Sequence, residues 1–276
     1  MAEGAVGRGV LDRAAAAAQV FVDDLDEMVP DAGARHHLAR VLRLRAGETV
    51  VASDGAGRWR SCRYRPVREG AASDRVLEAA GPVEAEPRPD RPLTVAFAPA
   101  KGERPEWVVQ KLTELGIDRI VPLNADRSVV RWEGDRAGRA VARLRRVAME
   151  AAAQSRRVWL PEVTEVTGVA GLAAGGASAT GGVSGGLVLA QLGGPPPRPG
   201  QRAVAVGPEG GWSPAELALG LPSVGLGDGV LRAETAALVA AAALSLLRAA
   251  TVSPRDPDDG EGQPREPMRG EGDSQG

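Results

Sequence analysis

Ala203-Val204-Ala205-Val206-Gly207-Pro208-Glu209-Gly210-Gly211-Trp212-Ser213-Pro214-Ala215-Glu216 is the stretch that decides the fold. Its four leading apolar residues, bounded by glycine, read as a short buried strand. The glycines then permit a tight turn. Ser213 suits a helix N-cap, Pro214 the first helical position, and Glu216 closes a capping box three residues on. The same order of strand, glycine loop and helix returns at 223–226, Gly227-Asp228-Gly229-Val230-Leu231-Arg232 and 234–248. Working backwards, apolar strands are expected at 187–192, 117–123 and 93–98, with helices at 138–154 and 105–116 between them. Strands alternating with helices build a parallel sheet covered by helices. Loops that leave the strands' carboxyl ends are the usual ligand crevice of such a sheet. Neither glycine loop fits a P-loop or G-x-G-x-x-G. On the glycines alone, a ligand cradle and a plain turn remain equal readings.

Upstream of 93 the pattern differs. Residues 19–22, 49–53, 58–65 and 75–79 read as short strands, and 35–44 as a short helix with Leu38, Val41 and Leu42 inward and Arg40 and Arg43 outward. Asp54-Gly55-Ala56-Gly57 is a hairpin turn, since glycine supplies positive φ without steric cost. These elements predict a small β-barrel. The expected organisation is an N-terminal extension (1–18), the barrel (19–84), a proline-stiffened linker (85–92) and an α/β domain (93–252). Within the last, the Gly/Ala/Ser-rich stretch 168–186 reads as a flexible surface insertion. Residues 253–276, with three Arg against seven Asp/Glu and little to pack, read as a disordered acidic tail.

Composition narrows the partners. Net charge is −2, yet the cations are clustered: 35–68 carries nine Arg and both histidines against Glu48 and Asp54, and 136–157 carries seven Arg against Glu150. Local density of one sign is what meets a phosphate backbone. One cysteine, Cys62, excludes an internal disulfide, and with only His36 and His37 as imidazoles no metal site is expected. No stretch is expected to reach the eighteen or so apolar residues of a membrane span: the apolar run 235–247 is shorter and reads as a buried helix. Without a leucine-rich leader, the setting is expected to be cytoplasmic.

Gly207-Pro208-Glu209-Gly210-Gly211, followed by Leu231-Arg232-Ala233-Glu234-Thr235-Ala236, resembles the knotted SPOUT methyltransferases, and most closely the RsmE type. His36-His37-Leu38-Ala39-Arg40-Val41-Leu42-Arg43 is similar to that family's PUA-like RNA-binding barrel. Lys101-Gly102-Glu103-Arg104, Glu106-Trp107-Val108-Val109-Gln110-Lys111, Thr113-Glu114-Leu115-Gly116, Arg127-Ser128-Val129-Val130 and Glu150-Ala151-Ala152-Ala153-Gln154-Ser155 match its catalytic domain in order. The resemblance implies a PUA-like barrel followed by an α/β trefoil-knot domain. It implies a homodimer that uses S-adenosylmethionine, without metal, to methylate N3 of one uridine in 16S rRNA of the small ribosomal subunit. A related enzyme acting on another RNA base, and a non-catalytic ribosome-assembly factor, are the rival readings. Departures from the family pattern are Gly229 near a usually basic position, Pro105 for an apolar residue and Asp126 for Glu.

The resemblance assigns cofactor contacts to Leu189, Gly207, Glu209, Gly210, Leu226, Gly227, Leu231, Thr235 and Ala236. Uracil N3 is protonated at neutral pH, so the reaction needs proton removal or stabilisation of the anion. Arg232 is the first candidate for the anion, with a structural tie between loops as its equal alternative. Glu234 is a candidate base, although a helix cap suits it better. Glu209 reads as a brace for its loop. His36, His37, Arg40, Arg43, Lys101 and Arg127 are candidate RNA contacts, while Trp107 and Trp212 read as core.

Overall fold

A computed structural model describes residues 13–66, 75–174 and 186–252. The expected acidic tail, most of the N-terminal extension and the middle of the glycine-rich insertion lie outside the described residues.

The first sheet runs β1 (Ala18–Phe21), β2 (Thr49–Ser53), β3 (Arg58–Tyr64), β4 (Leu77–Ala79), with β5 (Glu84–Ala85) returning onto β3. β1 joins β2 in parallel and the other pairs are antiparallel. The side chains buried between these elements include Val20, Leu38, Val50, Cys62 and Tyr64. The expected helix at 35–44 is instead α1 (Ala32–His36), capped by Asp31, followed by a π-helical turn His37–Val41. The wider turn changes which residues point inward. Leu38 is buried, but Val41 and Leu42 stand 60% and 42% exposed rather than sharing its face.

The second sheet has the order β11 (Ser223–Val224), β9 (Leu187–Ala190), β10 (Ala203–Val206), β6 (Thr94–Phe97), β7 (Arg119–Pro122), β8 (Glu162–Val163), and every pair is parallel. Helices α2 (Arg104–Glu114), α3 (Gly134–Gln154) and α6 (Ala233–Val252) pack on it through Val109, Leu112, Leu144, Ala240 and Leu244. Between them come α4 (Val169–Ala174) and α5 (Pro214–Leu217). The insertion reading needs correcting at α4: Val169 and Leu172 are buried against the sheet, so 169–174 belongs to the core. The capping box of α5 forms as its sequence predicts.

Helix α6 corrects the membrane count. Ala233–Ala250 is long and apolar enough for a span by composition. Here it lies against the sheet through Ala237, Ala240, Ala241 and Leu244, and is tied at both ends by charge. Glu234 meets Arg104 at 3.4 Å, and Arg248 meets Asp118 at 2.5 Å. Asp118 also takes Arg157, at 3.2 Å. Burial pushes the Arg157 guanidinium down from its usual range, and the Asp118 carboxylate opposes that push.

The 85–92 stretch is less a free linker than a seam. Trp159 Nε1 donates to the Glu86 carbonyl at 3.0 Å, and Glu86 pairs with Arg13. The hairpin turn docks on the same side: Gly57 N donates to the Val158 carbonyl at 3.0 Å and Leu160 N to the Gly55 carbonyl at 2.9 Å. A side chain on Gly57 would stand 2.4 Å from the Trp159 ring, which only glycine avoids. Arg156, at φ 61°, reaches the carbonyls of Ala16 and Ala17. The two sheets are therefore held together by backbone contacts as well as by side chains.

Candidate active site

The carboxyl ends of β9, β10 and β11 open into one cavity of about 560 Å³, within the ordinary range for small-ligand sites. Ala190, Gln191 and Leu192 continue β9 into it. Val206 to Glu209, Gly211 and Trp212 come from the loop after β10, and Leu226, Gly227 and Gly229 to Ala233 from the loop after β11. The two glycine loops, 206–212 and 226–236, thus face each other across a single space.

Local physics explains how the loops are held. Trp212 lies under Gly207, where a methyl group would stand 3.1 Å from the ring, and its Nε1 donates to the Ala190 carbonyl at 3.0 Å. Glu216 is 6% exposed and accepts from the backbone of Ser213 (2.7 Å) and of Asp126 (2.9 Å). Ser213 Oγ donates to Asp126 Oδ2 at 2.5 Å. The α5 cap is thereby also the tie between the loops after β7 and β10. Gly194 and Gly225 touch backbone to backbone: a side chain on Gly225 would stand 2.3 Å from the Gly194 carbonyl oxygen. Over Gly211, Gly227 and Gly229, by contrast, the space where a side chain would begin is empty to 4 Å. The glycines at the cavity leave room that any other residue would fill.

Six of the nine expected cofactor contacts line the cavity: Gly207, Glu209, Leu226, Gly227, Leu231 and Ala236. Three do not. Leu189 is 1% exposed and points into the core, its strand reaching the cavity one residue later. Gly210 sits behind the turn, against Arg127, whose Cβ would be 3.2 Å from an added side chain. Thr235 is exposed on the outer side of α6. Gln191 and Leu192, which no motif singles out, also line the cavity, as do Gly229 and Val230 of the second glycine loop, to which no ligand contact was assigned.

Arg232 is exposed on the cavity lining, and among the described residues its side chain makes no hydrogen bond or ion pair. The tie-between-loops alternative thus has no contact in its favour. Glu234 is mostly buried, faces Arg104, and leaves its Oε2 without a hydrogen-bond partner. Glu209 corrects its expected role: it is exposed at the cavity, and its carboxylate takes no hydrogen bond from the described residues. Glu216 does the bracing instead. Arg127 donates to the Gly210 carbonyl at 3.0 Å, so it serves as a loop tie. His36, His37, Arg40 and Arg43 are exposed together at the turn of the first domain. Lys101 is exposed beside a second recess. Trp212 is core, whereas Trp107 is 43% exposed, contrary to its core assignment, because it falls on the outer face of α2.

A family model described as an RNA methyltransferase domain matches residues 86–245, and one described as an RNA methyltransferase PUA domain matches 30–68. The chain is 36% identical over 251 residues to ribosomal RNA small subunit methyltransferase E of Mycobacterium bovis, covering 82% of this chain and 90% of that one. The Bacillus subtilis protein of the same name is 31% identical over 230 residues, covering 76% and 86%. A crystal structure of that enzyme from Neisseria gonorrhoeae, bound to S-adenosyl methionine, superposes with a TM-score of 0.64 at 25% identity, over 83% of this chain and 97% of that one. These matches bear out the resemblance read from the motifs, and with it the order of a PUA domain before an α/β methyltransferase domain.

Proposed function

The chain belongs to the family of ribosomal RNA small subunit methyltransferase E, and on that premise we propose that it methylates N3 of one uridine in 16S rRNA. S-adenosylmethionine supplies an electrophilic methyl group when bound. The residues fit such a ligand: two glycine loops leave open space over Gly211, Gly227 and Gly229, while Leu192, Leu226 and Leu231 offer apolar surface. Backbone groups of 207–211 and 226–232 would hold it, without metal.

Arg232 carries the reading. It is the guanidinium on the cavity wall, and its charge is not spent on another side chain. A planar fork there can hold a uracil oxygen as N3 loses its proton, stabilising charge that develops only as the reaction proceeds. Glu234 is a positioning residue in this scheme. Two residues along, it anchors the start of α6 to Arg104 and thereby sets the direction of the Arg232 loop. Arg40, Arg43, His36 and His37 extend the RNA contact to the first domain. A second copy of the chain is supported by apolar surface beside the cavity, where Val230 is 88% and Leu192 64% exposed. The setting we infer is the cytoplasm, where ribosomal subunits are available.

The test is direct. Purified protein, small ribosomal subunits lacking the modification and labelled S-adenosylmethionine should give one N3-methyluridine, located by mass spectrometry of RNA fragments. Label on a different base would move the chain to the rival enzyme reading, and no transfer to any RNA would favour the assembly factor. Light scattering at micromolar protein checks the dimer.

A further inference from the structure

Beside the cavity lies a second recess, of about 420 Å³, which the family comparison does not assign. β6 and β7 follow β10 in the sheet, about 5 and 10 Å from it at ordinary strand spacing, and the recess lies where their loops leave the same carboxyl edge. Its chemistry is basic: Lys101 comes from the loop after β6, and Arg136, Arg139 and Arg143 from the first three turns of α3.

Helix α3 is not arranged this way for its own stability. Arg136, Arg139 and Arg143 recur at three and four residues, on one face, where like charges repel. Arg136 also stands in the first turn at the helix N-terminus, beside Asp135, where the macrodipole disfavours a cation. No side chain caps that terminus. Arg143 is offset by Glu106, but Lys101, Arg136 and Arg139 have no ion pair among the described residues. Of the same run, Arg146 is exposed and, among the described residues, unpaired, but it does not line the recess, and the rest are used differently. Arg145 binds Glu165 and the Val163 carbonyl, and Arg156 and Arg157 tie backbone carbonyls. Below the cations the recess is firm: Trp132 is 5% exposed, and Asn124 holds its backbone from both sides, at 2.9 and 3.2 Å. Three exposed cations over a rigid floor form an anion site that costs the helix something to keep.

We propose that this recess binds a backbone phosphate of the RNA next to the nucleotide being methylated, with Arg136 and Arg139 as its principal ligands. The inference rests on the RNA-methylation reading, and names where the strand is gripped. A phosphodiester and a free phosphate share the required chemistry, so the experiment separates them.

The test uses the full chain with Arg136 and Arg139 both replaced by Ala, and a companion with both replaced by Lys. Both positions are exposed, so the Lys variant should melt with the parent, and the Ala variant at the same temperature or slightly above it, as relief of the repulsion requires. With small-subunit RNA, the Ala variant should need about tenfold more RNA for half-maximal rate, and its log affinity against log salt should lose about one to two units of slope. The rate at saturating RNA and the calorimetric S-adenosylmethionine affinity should be unchanged. The Lys variant should keep the slope. An unaltered half-saturation and slope in the Ala variant overturns the proposal. So does millimolar inorganic phosphate stabilising the parent but not the variant while RNA binding is the same in both, which would make the recess a free-anion site. Absence of methyl transfer by the parent protein would instead sink the RNA-methylation reading itself, and is seen before any variant is compared.

Discussion

Replacing Arg232 with Lys separates catalysis from architecture. The side chain is exposed and, among the described residues, unpaired. A substitution at such a position usually changes stability by no more than about 0.5 kcal/mol. For a domain of this size that is a shift of roughly 1–2 °C in Tm. Lys keeps the charge but loses the planar fork. If that fork stabilises the uracil anion, removing it should cost about a hundredfold to a thousandfold in rate, by comparison with other lost oxyanion contacts. The two numbers are far apart, which makes the assay decisive. Single-turnover methyl transfer, at saturating RNA and cofactor, should fall by two to three orders of magnitude while the melting curve stays in place. Raising the pH should narrow the gap, because solution then supplies more of the deprotonated base without help. A wild-type rate would refute the role. A joint drop in Tm and cofactor affinity, with no response to pH, would show that the side chain holds the loops.

Asp118→Asn should lower Tm by roughly 6–12 °C, because Arg157 and Arg248 lose their shared carboxylate at a cost on the order of 3 kcal/mol; scanning calorimetry reads it. Arg40→Ala with Arg43→Ala should weaken RNA binding and flatten its salt dependence without touching cofactor affinity, as measured by titration at several salt concentrations. Burial pushes the Cys62 thiol up from 9.0 to about 11 in the folded chain. Between those values the unfolded chain has lost the proton and the folded chain has kept it, so stability should fall as pH rises from about 9 towards 11. Urea midpoints across that range should drop more steeply for the parent than for Cys62→Ala. Native Cys62 should also resist alkylation at pH 8.

What the sequence made legible was whatever is decided within a few residues. Ser213, Pro214 and Glu216 specify a helix start by themselves, and the capping box formed as read. The apolar run 203–206 specified its strand, and the glycine loops specified where a ligand has room. Side-chain direction within a loop is a different matter. Gly210 stands between Glu209 and Gly211, both at the cavity, yet it faces Arg127. Nothing in the order of those residues says which of them turns away. Leu189 fails for a related reason. In a central parallel strand both faces are covered, so the run shows that the residue is buried without saying against what.

Pairings over long separations were hidden altogether. Arg104 and Glu234 meet across 130 positions, and Asp126 and Glu216 across 90. Both depend on a parallel sheet delivering every loop to one edge. That geometry also explains why the acid-poor run 136–157 was legible only as charge. Its far end, Arg156 and Arg157, is spent on the seam with the first domain and on the core. Its near end is left open at the carboxyl edge, beside the loops that form the cavity. A count of arginines cannot divide the two. The division follows from α3 being 21 residues long, roughly 30 Å at the ordinary rise. One helix therefore reaches from the ligand edge of the sheet to its opposite end. Cations read from the sequence as one cluster stand open beside the cavity at one end of α3 and serve architecture just beyond the other.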